Sequence, residues 1–132
     1  MAASPKPQPT KPNAAPAGIV GVARAHYIRG STHKTREVAR LIKERSVVHA
    51  LAILAATNKR PARVLSLIVK SAAANAMHQH PQLTEDALQI TRIVINDGPM
   101  WKRFKAAAMG RATRIRKRTS HIMVEIAATR KD

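Results

Sequence analysis

GRATRIRKRTSHIMVEI, residues 110–126, is one strand pattern carrying two chemistries. Read at every second position it gives Ala112, Arg114, Arg116, Arg118, Ser120, Ile122, Val124 and Ile126. A face that is apolar at one end becomes cationic at the other without losing its period of two. A ribbon that starts in a core and runs out of it shows this pattern, because only its base has protein to pack against. The antiparallel mate lies upstream, where Leu88, Ile90 and Val94 face one way and Ile93 and Ile95 the other, before Asp97-Gly98-Pro99 interrupts. With both faces partly apolar, residues 88–95 read as an inner strand.

Between the two apolar runs, residues 98–121 hold eight Lys and Arg and no Asp or Glu. If each arm of the excursion has about ten residues, a rise of about 3.3 Å per residue carries its tip about 30 Å from the sheet. An isolated two-stranded ribbon is only marginally stable in water, so its surroundings must hold it, and the charge points to phosphate. The alternative is a disordered basic loop from Pro99 to Thr119. Trp101 and Phe104 are two of the three aromatic residues in the chain, and both lie here, either to stack on exposed bases or to fold back as an apolar plug. Gly110 and the alanines at 106–108 keep the tip slim.

Upstream, the chain is punctuated into one strand and three helices. Val20 to Arg29 alternates, with Ala23, Ala25 and Tyr27 on one face and Arg24 and His26 on the other, until Gly30. Ser31 or Thr32 caps a first helix with Val38, Leu41 and Ile42 inward and a basic remainder. Ser46 caps a second, with Val47, Ala50, Leu51 and Leu54 in helical spacing as far as Thr57-Asn58. Pro61 opens a third, whose stripe of Leu65, Ile68, Val69, Ala72 and Ala76 ends before Pro81. The expected fold is α+β: a small three-stranded antiparallel sheet, three helices and a long protruding basic β-hairpin. Residues 1–18, with five prolines and two lysines, read as a flexible tail that either settles on a partner or solubilises the chain. Residues 19–132 read as one domain whose hairpin spans about 96–120.

The 132 residues carry 24 Lys and Arg against 7 Asp and Glu, a net charge of +17. Such charge opposes compaction unless a polyanion takes it up, so nucleic acid is the expected partner. No cysteine is present, which excludes disulfides and thiolate metal sites. The longest apolar run, near residues 50–56, is far short of the roughly 20 residues that span a bilayer. No membrane association is expected, and the lack of signal-peptide character near the first residue makes the cytoplasm the expected compartment.

His78 and His80 lack the i, i+4 spacing that would present both rings to a metal, and Glu85-Asp86 suits a capping role better than paired acid–base work. No catalytic residue, metal or cofactor is therefore assigned. A basic ribbon on a small body suits folded RNA and equally suits an architectural DNA-binding protein.

Longer motifs separate those two. AspGlyPro at 97–99, LysArgPhe at 102–104 and MetGlyArgAlaThrArgIleArgLysArgThrSerHisIle at 109–122 resemble the signature of the bacterial-type large-subunit ribosomal protein twenty-two family. The resemblance continues in LysThrArgGluValAlaArgLeuIle at 34–42, AlaLeuAlaIleLeu at 50–54 and SerAlaAlaAlaAsnAla at 71–76, and covers about residues 22–127. It implies a structural constituent of the large ribosomal subunit, bound to large-subunit ribosomal RNA in the cytoplasmic ribosome. Its hairpin would line the peptide exit tunnel, beside the nascent peptide and ribosomal protein four; no homo-oligomer is implied. By position, the resemblance puts Trp101, Lys102, Arg103, Phe104, Lys105, Met109 and Gly110 at the tunnel-facing tip. It puts Arg111, Arg114, Arg116, Lys117, Arg118, Thr119, Ser120 and His121 on the RNA-contacting arm. On the body, Lys34, Arg36, Arg40, Lys59, Arg60 and Arg63 are the expected RNA contacts. The chain departs from the family pattern at Ala106–Ala108, where a proline and an arginine are usual, and at His33 and Thr35 in the opening of the first helix.

Overall fold

Helix boundaries follow the punctuation. The computed structural model of the protein describes residues 18–129, so the proline-rich tail, apart from Gly18, lies outside the described residues. The elements run β1 (Ile19–Arg29), α1 (Thr32–Ile42), α2 (Val47–Ala56), α3 (Arg60–Gln79), β2 (Leu88–Asp97), β3 (Trp101–Ala106), β4 (Ala112–Lys117) and β5 (Thr119–Ala128). Ser46 caps α2 by accepting the amide of His49 at 3.4 Å, and Pro61 sits in the first turn of α3, where an amide has no helical acceptor to lose. At the start of α1 the Ser31 hydroxyl makes no cap bond; its carbonyl instead accepts both the amide and the hydroxyl of Thr35.

The fold is α+β, with an antiparallel sheet in the order β1-β5-β2 and a separate two-stranded sheet of β3 and β4. The inner strand is therefore β5, and residues 88–97 form an edge, contrary to the reading of both its faces as apolar. The cause is a bulge. Leu88 and Ile90 are fully buried; then the register with β5 slips by one residue between Ile90 and Arg92, after which Ile95 is buried and Ile93 packs against the core. One core-facing row changes phase midway and mimics two apolar faces.

A second slip, between Ala25 and Ile28 of β1, corrects another expectation. Tyr27 does not share the core face of Ala23; Ile28 takes that place and Tyr27 points to solvent. On α1, Leu41 is likewise outside the core, 49 % exposed, and Thr35 and Ala39 join Val38 and Ile42 on the buried face.

The core lies between the sheet and the helices, with α3 as its spine. Ala62, Leu65, Ile68, Val69, Ala72, Ala73 and Ala76 are all buried. The small residues serve close approach: a Cβ on Gly21 of β1 would lie 2.6 Å from the Ala72 carbonyl oxygen and from Ala76 Cβ, so only glycine lets the strand lie this near the helix. Asn75 fixes the crossing by donating to the Val22 carbonyl at 3.0 Å.

Candidate nucleic-acid interface

Residues 101–117 form a two-stranded ribbon in place of an irregular loop. The pairs run in register from Trp101 opposite Lys117 to Ala106 opposite Ala112. Alternation then puts Lys102, Phe104, Arg114 and Arg116 on one face, and Trp101, Arg103, Lys105, Ile115 and Lys117 on the other. Each face carries three cations and one aromatic ring. A single cationic face, read from β4 alone, becomes two once β3 supplies the other half. Every residue of β3 is exposed, and in β4 only Ile115 is partly covered.

No carboxylate neutralises this ribbon from within residues 98–121. The ion pairs among the described residues lie elsewhere, Lys59 to Glu37 at 3.3 Å and Lys43 to Glu44 at 3.6 Å, and the His33 ring lies 3.8 Å from the same Glu37 carboxylate. At the tip, Ala107 donates to the Arg111 carbonyl at 2.8 Å, and the turn passes through Met109 at φ 60° and Gly110 at φ 68°. Met109 is 94 % exposed.

The root of the ribbon is tied on both sides. Three residues, Gly98 to Met100, face two, Arg118 and Thr119, so the ladder is offset here. The Gly98 amide donates to the Thr119 carbonyl at 2.9 Å, the Thr119 hydroxyl to the Pro99 carbonyl, and the Gly30 amide to the Arg118 carbonyl at 3.1 Å. A side chain at position 98 would collide with Thr119 Oγ1, 2.5 Å from its Cβ. Thr119 and Ser120 are thus buried structural residues, the Ser120 hydroxyl directed at the Ile28 carbonyl at 3.5 Å. His121 accepts the Tyr27 amide on Nδ1 at 3.1 Å.

Cations distant in sequence meet at this root. A cleft of about 280 Å³ is lined by Arg29, Arg60, Arg116, Lys117 and Arg118 around Gly30 and Ser31. A neighbouring cavity of about 210 Å³ shares Arg29 and Arg60 and adds Lys34. The Arg29 guanidinium lies 5.2 Å from the centroid of the Trp101 ring, which is 54 % exposed at the base of the ribbon and so is not folded back as an apolar plug. Sequence reasoning passed over Arg29; its position just before the Gly30-Ser31 break was the available signal, but the contact with Trp101 spans the fold.

Other expected contacts are placed apart. Arg36 grips the edge strand, donating from Nε and a terminal nitrogen to the Ile95 carbonyl at 3.2 and 2.8 Å. With Arg40 and Lys43 it borders a groove of about 180 Å³ against Ile93 and Ile95. Lys59, Arg60 and Arg63 line an open cleft of about 780 Å³ at the turn between α2 and α3. Among the described residues no three His, Cys, Asp or Glu side chains are placed to hold a metal, and no helix is long and apolar enough to cross a membrane.

Fold and surface together define a class: small, strongly basic α+β proteins that hold out a cationic ribbon from a clamped root. Comparison with known proteins narrows it. The model of the family described as ribosomal protein L22p/L17e matches residues 23–127. The chain is 49 % identical over 105 residues to the large ribosomal subunit protein uL22 of Nitratidesulfovibrio vulgaris (strain DP4), covering 80 % of this chain and 93 % of that one. It is 48 % identical over 104 residues to that of Clostridioides difficile (strain 630), covering 79 % and 93 %. With that of Rubrobacter xylanophilus it shares 45 % identity over 106 residues, covering 80 % and 83 %. The chain belongs to the ribosomal protein L22p/L17e family, whose members are structural proteins and not enzymes.

Proposed function

We propose that this chain is a structural constituent of the large ribosomal subunit in the cytoplasm, binding and organising large-subunit ribosomal RNA during assembly. The family membership supports the assembly, and the two-faced ribbon supports the mode of binding. A ribbon laid on a flat surface needs cations on one side only. Three on each face, with no internal carboxylate, suit insertion between RNA segments whose phosphates line both sides. RNA packed around the ribbon would also supply the support that two strands lack in water.

In this reading the cationic root, with Lys34, Arg60 and Arg116 to Arg118, receives backbone phosphates, while Thr119 and Ser120 act by fixing the arm that carries them. Arg40, Lys59, Arg63 and Arg111 extend the contact over the body and the return arm. Holding RNA segments distant in sequence against one small body favours the folded subunit by mass action. The tip around Met109 and Gly110, with Lys102 to Lys105 on the arm leading to it, borders the peptide exit tunnel beside ribosomal protein four and the nascent peptide; Trp101, expected at the tip, pairs with Lys117 at the opposite end of the ribbon.

Binding to large-subunit ribosomal RNA and to duplex DNA of equal length, titrated at one salt concentration, tests the reading. A clear preference for the folded RNA is expected. Equal affinity would favour the architectural DNA-binding alternative. A photo-crosslinker at position 109 should capture nascent chains in purified ribosomes, and its failure to do so would remove the tip from the tunnel.

A further inference from the structure

Tyr27 departs from the strand around it. Its φ of 57° lies in the left-handed region, which a bulky side chain adopts only under constraint. The register slip between Ala25 and Ile28 hands the core-facing place to Ile28 and turns the phenol ring outward, leaving the residue 67 % exposed. His121, from the neighbouring strand, holds this arrangement. Its Nδ1 accepts the Tyr27 amide at 3.1 Å, and its ring meets the tyrosine ring edge-on, with centroids 5.0 Å apart at 89°. His26 packs against the same imidazole at 5.2 Å and 62°. Behind it the chain leaves no room: a Cβ on Gly98 would come within 3.3 Å of His121 Nε2. Residues from β1 and β5, backed by the glycine that follows β2, thus fix one exposed ring.

We infer that Tyr27, braced by His121 and His26, is a stacking site for one unpaired nucleobase of RNA. The inference rests on the ribosomal RNA reading and adds to it a contact that charge alone does not provide. A ring meant for an apolar protein partner would have apolar neighbours; this one meets the His121 imidazole, itself packed against His26, with Arg24 and Arg29 exposed on the same strand. Those guanidiniums suit the phosphates that flank a splayed base, and aromatic faces accept any base.

The test uses the full chain with two probes of equal charge, a 12-nucleotide oligoadenylate and an abasic oligomer with the same number of phosphates, at one salt concentration. Tyr27→Asn removes the ring but keeps a residue that tolerates left-handed geometry; Tyr27→Phe keeps the ring. Expected is a loss of about 5- to 150-fold in oligoadenylate affinity for Tyr27→Asn, the range that loss of one stacked base implies, and almost none for Tyr27→Phe. Affinity for the abasic oligomer should be unchanged in both. Because the chain has one tyrosine, its ring protons are a direct reporter and should move upfield with oligoadenylate only. Unmoved ring protons, or a Tyr27→Asn variant that keeps its oligoadenylate affinity, would overturn the inference. So would an equal loss for both probes, since that marks Tyr27 as purely structural. A wild-type chain that binds both probes without preferring bases refutes the stacking site alone. A wild-type chain with no salt-sensitive binding to either removes the RNA reading beneath it.

Discussion

Helix α3 and the β3–β4 ribbon are of similar length and are stabilised by opposite means. Over 20 residues α3 buries seven side chains, and its position is set by Gly21, Asn75 and the alanines beneath them. The ribbon buries none of its residues in either strand. It has a ladder of backbone pairs, a clamp at the root and a surplus of like charge. The body therefore carries its own reasons for folding, whereas the ribbon's lie in what surrounds it. Backbone hydrogen bonds exposed to water contribute little net stability, and desolvated side chains contribute most of it.

The largest effect that sharpens this contrast is thermodynamic. Leu65→Ala removes a fully buried side chain from α3 and should lower unfolding stability by about 2–5 kcal/mol in urea denaturation. Phe104→Ala, on a side chain 69 % exposed, should stay within about 0.5 kcal/mol. Comparable losses would mean that the ribbon packs on the body after all.

A smaller effect separates arginines by role. Replacing Arg114, Arg116 and Arg118 together with Gln should leave folding intact and reduce the salt slope of RNA binding by up to about three, if each neutralises one phosphate. Arg36→Gln should do the reverse. It leaves the Ile95 carbonyl without its two donors, which should destabilise the body by about 1–3 kcal/mol, and it should change the slope by no more than about one. Titrations at several salt concentrations, beside denaturation curves, check both halves.

Much of this was legible in the sequence, for identifiable reasons. The helices declare themselves because caps and prolines are local signals: Ser46, Pro61 and a 3.6-residue stripe place α2 and α3 with no knowledge of the rest. The ribbon is legible because eight cations without a carboxylate have no intramolecular use. What escaped depends on pairing. One extra residue at Thr91 or in the His26-Tyr27 bulge reverses the phase of a strand, and nothing local announces it, so β2 looked like an inner strand and Tyr27 was read on one face with Ala23 and Ala25. Arg36 and Thr119 are chemically suited to RNA. Only tertiary structure shows that one grips an edge carbonyl and the other is buried at the root.

The smallest effect belongs to the tip, where the contrast between body and ribbon should be most complete. Met109 occupies left-handed geometry with its side chain almost wholly in solvent, so it bears the conformational cost of that geometry without any packing in return. Met109→Gly removes the Cβ penalty but widens the unfolded ensemble, and these opposing terms should leave global stability within about 0.5 kcal/mol of the wild type. The local consequence is more informative. If the turn is set by backbone geometry and by the Ala107–Arg111 hydrogen bond, amide exchange at residues 107–111 should stay fast in both proteins, while the amides of α3 keep full protection. A variant in which α3 also loses protection would show that the tip is coupled to the core, and the division between a self-sufficient body and a partner-dependent ribbon would have to be given up.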